Sequence, residues 1–502
     1  MSDDDELTAA KLLRVPTGLH GLDTILHGGL FRGGVYVVHA RPGSGKTILG
    51  NQVCFGHVAA GGRALFVTLL TESHSRMLAQ LENMSFFDPP AVGATLSYVS
   101  GYQTLEKEGL AGLLVLLRRL VRDCKATCLV IDGVVTAGAM SESELEIKKF
   151  IHELQVYAEL VGCTTLLLTG ESQTGQQYAF RTMVDGLIEL HLDAAGMEAS
   201  RSLEVTKFRG STVLMGRHLF EITSAGLTIY PRTEAAFGRS PDRPDPRDTR
   251  PAAFGMEGLD MALGGGLRAG STTMVLGMPG SGKTLLGLSW LAAGAAAQEQ
   301  GLYFGFFETP SDLLRKAEGI GLPWGDAIAS GRIEVVWEPP LGVIADRLAE
   351  KLLAAVSRRH VRRLFIDGLA GLSDALINTR RSRRFFSALC NELRSRGVAT
   401  ILSDETRSLR EFEVDTSDEG LTAMLDNVIS LRHVEIASRR SKLAAVLKTR
   451  EKAGDETVHG YSIGPRGFTV STARPDDRYV EELQREEKAS PVAKKRSKRR
   501  RR

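Results

Sequence analysis

Gly277-Met-Pro-Gly-Ser-Gly-Lys283-Thr284 follows the apolar run Thr273 to Leu276 and precedes a stretch with helical spacing. Strand, glycine-rich loop ending Gly-Lys-Thr, then helix is the P-loop pattern, and each of its residue types has a physical task. Backbone N–H groups around Gly277, Gly280, Ser281 and Gly282 cradle phosphate oxygens, Lys283 reaches the β/γ-phosphates, and Thr284 holds Mg²⁺. The glycines allow an approach that a side chain would block. ATP or a close relative, with Mg²⁺, is therefore the expected ligand. A second loop, Ala40-Arg-Pro-Gly-Ser-Gly-Lys46-Thr47, has alanine at the first glycine position. That change adds only a methyl group and leaves Gly43, Ser44, Gly45, Lys46 and Thr47 in place.

The two loops lie in repeated surroundings. Gly21-Leu-Asp23 returns as Gly258-Leu-Asp260, and Lys46 as Lys283, both at an offset of 237. Asp132, which ends Cys-Leu-Val-Ile-Asp, matches Asp367, which ends Leu-Phe-Ile-Asp, at 235, and Lys207-Phe208-Arg209 matches Lys448-Thr449-Arg450 at 241. One duplication explains four nearly equal offsets. The Pro- and charge-rich stretch 233–252 reads as a linker, since it has no apolar period from which to build a core. The expected domains are thus 12–232 and 253–485, with a basic tail at 486–502.

Within each half, short Val- and Leu-rich runs alternate with longer helical patterns. Val35 to His39, Ala64 to Leu69, Thr127 to Ile131 and Thr164 to Leu168 read as strands of the first half. Residues 47–60, Leu110 to Arg122 and Glu144 to Val161 read as its helices. Thr273 to Leu276, Leu302 to Phe306, Arg363 to Ile366 and Ala399 to Leu402 repeat the strand pattern. Continuous apolar strands separated by helices predict an α/β fold, with a mainly parallel sheet covered on both faces. Late runs, Leu203 to Thr206 and Leu443 to Leu447, extend each sheet.

Composition bounds the rest. At 502 residues, 43% apolar and 25% charged, the chain has the makeup of a folded multidomain protein. No run of about 18 apolar residues suggests a membrane span. The acidic start, Met-Ser-Asp-Asp-Asp-Glu, is unlike a secretory leader, so a cytoplasmic location is expected. Five scattered cysteines suggest no disulfide framework, and Cys124 with Cys128 lacks the partners of a zinc site. Lys494 to Arg502 holds eight basic residues, whose removal turns the formal charge of +3 into −5. That tail is the feature that would meet nucleic acid or another anionic surface, with a salt-dependent affinity.

Hydrolysis needs more than a cradle. Asp132 and Asp367 end apolar strands and are the expected carboxylates around Mg²⁺, beside Thr47 and Thr284. A further carboxylate must orient or activate water near the γ-phosphate. Glu308 follows its strand closely enough for that task, whereas Glu72 stands later in the first half, which makes that half the weaker hydrolysis candidate. Glu171 and Glu405 lie just past later strands. Lys207 and Arg209 alternate along an extended segment and so share a face, as do Lys448 and Arg450. Either pair, aimed across a subunit boundary, could act as an arginine finger acts.

With these residues in place the sequence resembles the KaiC family, tandem RecA-like ATPases named after the cyanobacterial circadian clock protein. The resemblance covers about residues 12–485. It rests on Gly21-Leu-Asp23 with His27-Gly-Gly-Leu30, both loops, Ile131-Asp132, Leu203-Glu-Val-Thr-Lys207-Phe-Arg209-Gly210, Phe220-Glu-Ile, and Val434-Glu-Ile436 leading to Lys448-Thr-Arg450. It implies a two-tier ring, commonly a hexamer, with ATP between subunits and the basic pairs facing a neighbour's nucleotide. It also implies ATP hydrolysis in the first tier and Ser/Thr autophosphorylation in the second. The family's paired catalytic glutamates fall at Leu70 and Thr71 and at Phe307 and Glu308, so a single one survives at an aligned position. Its adjacent phosphoacceptors fall at Thr422 and Ala423, which leaves Thr422 alone. The resulting expectation is an ATP-hydrolysing, oligomeric signalling protein with a Ser/Thr autokinase capacity and signalling partners. A non-catalytic ATP-gated scaffold and, further off, a DNA recombination or repair ATPase are the competing readings.

Overall fold

The computed structural model describes residues 13–70, 74–134, 143–170, 182–195, 198–238, 250–339, 341–342, 344–406, 424–436, 439–450 and 457–472. Glu72, Glu171, Thr422, Ala423 and the basic tail lie outside them. The chain divides into two compact units between Ala236 and Phe237.

In the first unit a two-stranded ribbon, β1 (Arg14–Val15) with β2 (Leu30–Phe31), precedes a nine-stranded sheet. Its strands are β3 (Val35–Ala40), β4 (Ala64–Thr68), β5 (Leu96–Ser100), β6 (Cys128–Asp132), β7 (Thr164–Thr169), β8 (Gly186–Ala195), β9 (Glu198–Phe208), β10 (His218–Thr223) and β11 (Gly226–Tyr230). They lie in the order β11-β10-β9-β8-β3-β7-β6-β4-β5. From β8 to β5 all neighbours are parallel, and from β8 to β11 the sheet continues as antiparallel hairpins.

The second unit repeats this plan. Its strands are β12 (Thr272–Gly277), β13 (Gly301–Gly305), β14 (Ile333–Trp337), β15 (Arg363–Asp367), β16 (Ala399–Glu405), β17 (Asn427–Ile436), β18 (Arg439–Thr449), β19 (Val458–Gly464) and β20 (Gly467–Val470). The order β14-β13-β15-β16-β12-β17-β18-β19-β20 is that of the first sheet with every strand replaced by its repeat. Both units are therefore mainly parallel α/β sheets flanked by helices, as the apolar periodicity predicts.

Each sheet separates two cores because alternate side chains of a strand face opposite sides. In the first unit Phe66, Val130 and Leu168 pack with Leu49 and Val53 of the helix Lys46–Ala59 on one face. Val67, Ile131 and Leu167 pack on the other, with Leu113, Leu117, Ile151 and Leu154 of the helices Tyr102–Cys124 and Glu144–Val161. Glu144–Val161 has the bounds its sequence predicts, and both ends explain why. The Ser143 hydroxyl accepts from the Glu146 N–H at 3.2 Å, and Gly162 closes the helix in the left-handed region. Tyr102–Cys124 starts earlier than the predicted Leu110, but its backbone leaves helical geometry at Gly109, φ 64°, so Leu110 begins its regular second part.

Inside the stretch read as linker, Thr233–Ala236 forms one helical turn of the first unit. Ala252 is buried in an antiparallel bridge with Leu267 in the second. Four prolines and many charges fall between them; residues 239–249 lie outside the described ones.

Candidate functional site: two phosphate cradles

Both loops leave the C-terminal end of a central parallel strand, β3 or β12, and enter a 14-residue helix, Lys46–Ala59 or Lys283–Ala296. The backbone turns are alike. Gly43 and Gly45 have φ of 81° and 96°, Gly280 and Gly282 of 78° and 92°, values that L side chains tolerate poorly. A Cβ built on Gly43 or Gly280 would meet nothing within 4 Å, so the cradles are open to a ligand. One on Gly45 or Gly282 would instead strike Ile222 or Ile463.

Ser44 and Ser281 occupy matching places and are buried, yet neither hydroxyl has a hydrogen-bond partner. A buried, unsatisfied hydroxyl costs about 1–3 kcal/mol. Ordered backbone N–H groups at a helix N-terminus, a lysine and an unmet hydroxyl together fit an anion with several oxygens, which a nucleotide's phosphates supply. In the first unit Gly43, Gly45, Lys46, Thr47, Ile48, Arg201 and Ile222 enclose a cleft of about 430 Å³.

The surroundings of the metal carboxylates differ. The Thr47 hydroxyl donates to Asp132 Oδ2 at 2.8 Å, bringing the two expected Mg²⁺-holding groups together. In the second unit both Asp367 oxygens receive core hydroxyls instead: Tyr303 donates to Oδ2 at 2.8 Å and Ser403 to Oδ1 at 2.7 Å. The repeat-related residues of the first unit are Phe66 and Leu168, which cannot donate. Burial pushes the Tyr303 phenol upward, and Asp367 adds to the effect, so Tyr303 stays a donor. Thr284 is the second residue of its helix, next to Lys283. Among the described residues no group of three or more His, Cys, Asp or Glu could hold a metal by itself. One carboxylate, one threonine and phosphate oxygens fit Mg²⁺, which keeps several waters and few protein ligands.

Lys283 bends back over its loop, donating to the carbonyls of Gly277 at 2.9 Å and Met278 at 3.1 Å. Burial pulls its pKa down, opposed by Glu405, Asp367 and Asp404. Glu405, in register with Gly277 across β12 and β16, stands 4.0 Å from the Lys283 ammonium.

Glu308 lies just past β13, but its Oε1 is bound to Lys316 of the helix Pro310–Gly319 at 2.5 Å, while its Oε2 is buried without a partner. At the aligned glutamate positions both units present an apolar side chain. Leu70 and Phe307 pack over Gly133 and Gly368, the residues that follow Asp132 and Asp367; a Cβ on either glycine would lie 2.8 Å or 2.7 Å from them.

The basic pairs fall on the antiparallel extensions. Lys207 donates to the Thr182 carbonyl at 2.5 Å and Arg209 to the Met183 carbonyl at 3.4 Å, so both point at one segment. Burial lowers the Lys207 pKa, with help from Arg209. Lys448 is lowered in the same way by burial and by Arg450, which lies 3.6 Å from Asp426. Arg201 escaped the sequence reading. Its parity with the buried Leu203 and Val205 aims it at the P-loop side of β9, and that parity was the available signal. Tyr303 and Ser403 gave no such signal, since strand residues of their kind read as packing.

A duplicated P-loop NTPase of RecA-like architecture is the class that this fold and these cradles define. The family described as "ATPase: KaiC" matches residues 15–234 and again 252–474, and the chain belongs to it. It is 24% identical to a protein named circadian clock oscillator protein KaiC from Rippkaea orientalis, over 93% of this chain and 91% of that one. The same name is carried by a protein of Thermostichus vulcanus, 23% identical over the same shares. Circadian clock protein KaiC2 of Synechocystis is 21% identical over 93% of this chain and 83% of its own.

Proposed function

We propose that both units bind Mg²⁺-ATP and hydrolyse it slowly, as a nucleotide-driven switch in a homo-oligomer. The observation that carries this reading is the pair of open glycine cradles, each with a buried hydroxyl lacking an acceptor and a lysine at the helix start. In that arrangement Gly43, Ser44, Gly45 and Lys46, or Gly280, Ser281, Gly282 and Lys283, hold the phosphates. Thr47 with Asp132, and Thr284 with Asp367, hold Mg²⁺, which supplies charge neutralisation on the β- and γ-phosphates. Slow turnover follows from Leu70 and Phe307 standing where the family's first glutamate would be, and from the ion pair that occupies Glu308.

Lys207 with Arg209, and Lys448 with Arg450, are the groups for a neighbouring subunit's nucleotide, in the ring that the family resemblance implies. Glu72 and Thr422 keep their proposed roles as a first-unit acid and an autophosphorylation site. Among the described residues no helix is long and apolar enough to cross a membrane. Phosphate release and protein-bound label from γ-labelled ATP, measured together, test the reading. Turnover that falls in Lys46→Ala and again in Lys283→Ala is expected. Turnover in the wild type no faster than in the double variant, alongside ATP-dependent oligomerisation, would make the protein a scaffold instead.

A further inference from the structure

The first unit lacks an aligned glutamate, yet a titratable side chain stands at the same strand exit. Thr68 ends β4 and is in register with Asp132 at the end of β6. Phe66 and Val130, two residues earlier on each strand, both face the P-loop helix, so Thr68 and Asp132 face the same way. Asp132 accepts from Thr47, so Thr68 stands one strand away from the proposed Mg²⁺ groups. His74, the first residue of the helix His74–Leu81, lies 2.8 Å from the Thr68 hydroxyl through Nε2.

The imidazole is held from a second direction. Its ring centroid is 6.0 Å from that of Tyr98 on β5, and Tyr98 donates to Asn51 Oδ1 at 2.8 Å. Asn51 in turn donates to the Thr47 carbonyl at 2.8 Å, so the array ends on the P-loop helix. Burial lowers the His74 pKa and is the whole of its resolved cause. Among the described residues, the polar side chains recorded against it are Thr68 and Tyr98, and Asp132 is the carboxylate at the same strand ends. The second unit has nothing equivalent, for its repeat-related residues are Gly305 and Ser311.

We propose that His74, acting through the Thr68 hydroxyl, positions the attacking water of the first unit and takes up its proton. The inference rests on the hydrolytic reading above and supplies the group that Leu70 and Thr71 do not. In the step, the water oxygen bonds to the γ-phosphorus while the bond to the β–γ bridging oxygen breaks, and that oxygen leaves with the electron pair on ADP. The water's proton passes to the Thr68 oxygen as the Thr68 proton moves to His74 Nε2, and the imidazolium later returns a proton to solvent. Because the neutral imidazole is the acceptor, turnover falls as pH drops through the His74 pKa, which lies below the ordinary histidine value.

Lys283→Ala protein reports the first unit alone. In that background His74→Ala is expected to lower kcat by about 100-fold while leaving the affinity for a fluorescent ATP analogue within about twofold. His74→Gln keeps a partner for the Thr68 hydroxyl but cannot titrate, so it should regain part of kcat and lose the acid limb of the pH profile. If His74→Ala leaves kcat and the acid limb unchanged while Lys46→Ala abolishes turnover, the role of His74 is refuted and the hydrolytic reading stands. Parent turnover no faster than in the Lys46/Lys283 double variant refutes both.

Discussion

Gly277→Ala introduces at the second cradle the residue that the first already carries as Ala40. A Cβ on Gly277 would lie 2.4 Å from Ser281 Oγ and 2.7 Å from the carbonyl oxygen of Leu431. The serine hydroxyl can rotate away. Leu431 cannot move so freely, since it is buried on β17 and paired in register with Gly277 itself. Bringing that contact to an ordinary separation near 3.4 Å requires the β12 end and the loop to shift by several tenths of an ångström, at a cost of about 1–3 kcal/mol. For a unit of this size each kcal/mol lowers the melting temperature by about 2–4 °C, so a second-unit drop of about 2–12 °C is expected. The cradle moves with the strand end, so ATP affinity there should fall as well, with the first unit unchanged. Differential scanning calorimetry of Lys46→Ala protein, with and without Gly277→Ala, separates the two transitions, and a fluorescent ATP analogue reads the affinity. An unaltered second transition together with unaltered binding would show that the Leu431 carbonyl yields without cost and would refute this account of the glycine.

Arg363 is nearly inaccessible; its Nε donates to Glu299 at 2.5 Å and its Nη1 to the carbonyls of Ala253 and Trp290. Glu299→Ala leaves this buried guanidinium without its counter-charge and should destabilise the second unit by about 3–5 kcal/mol, measured by urea unfolding. Tyr303→Phe, which copies Phe66 of the first unit, removes one donor from Asp367 and should cost about 1.5–3 kcal/mol by the same measurement. Of the five thiols, Cys54, Cys128, Cys163 and Cys390 are buried, and burial pushes Cys390 up to about 11. Cys124 is only half-buried, so a thiol reagent should modify it first and reach the others at the rate of unfolding.

The central strands were legible because both their faces are covered, which writes them as unbroken apolar runs. β5 was not, since its Leu96-Ser-Tyr-Val-Ser100 lies at a sheet edge with one buried residue and offers neither alternation nor a run. β14, at the corresponding edge, has Glu334 interrupting a short apolar stretch with only Ile333 and Val336 buried, too brief a pattern to mark a strand. The loops could be placed residue by residue, because the chemistry of phosphate binding constrains consecutive positions. The strand exits could not. Lys316 reaches Glu308 from across a helix start, and His74 meets Thr68 across residues that carry no motif. In the same way, the hydroxyls on Asp367 come from two strands a hundred residues apart, a proximity that only the folded sheet creates.

The paired glycines of the two cradles differ in φ by no more than 4°. Other positions differ between the two halves, among them Ala40 against Gly277 at the first loop position, and Phe66 and Leu168 against Tyr303 and Ser403, the donors to Asp367. The main-chain path of the cradle is thus common to both halves, while the side chains at the strand exits differ. A chain built this way can hold two nucleotide cradles of one backbone shape whose strand exits are altered independently, by a few side chains at one strand end.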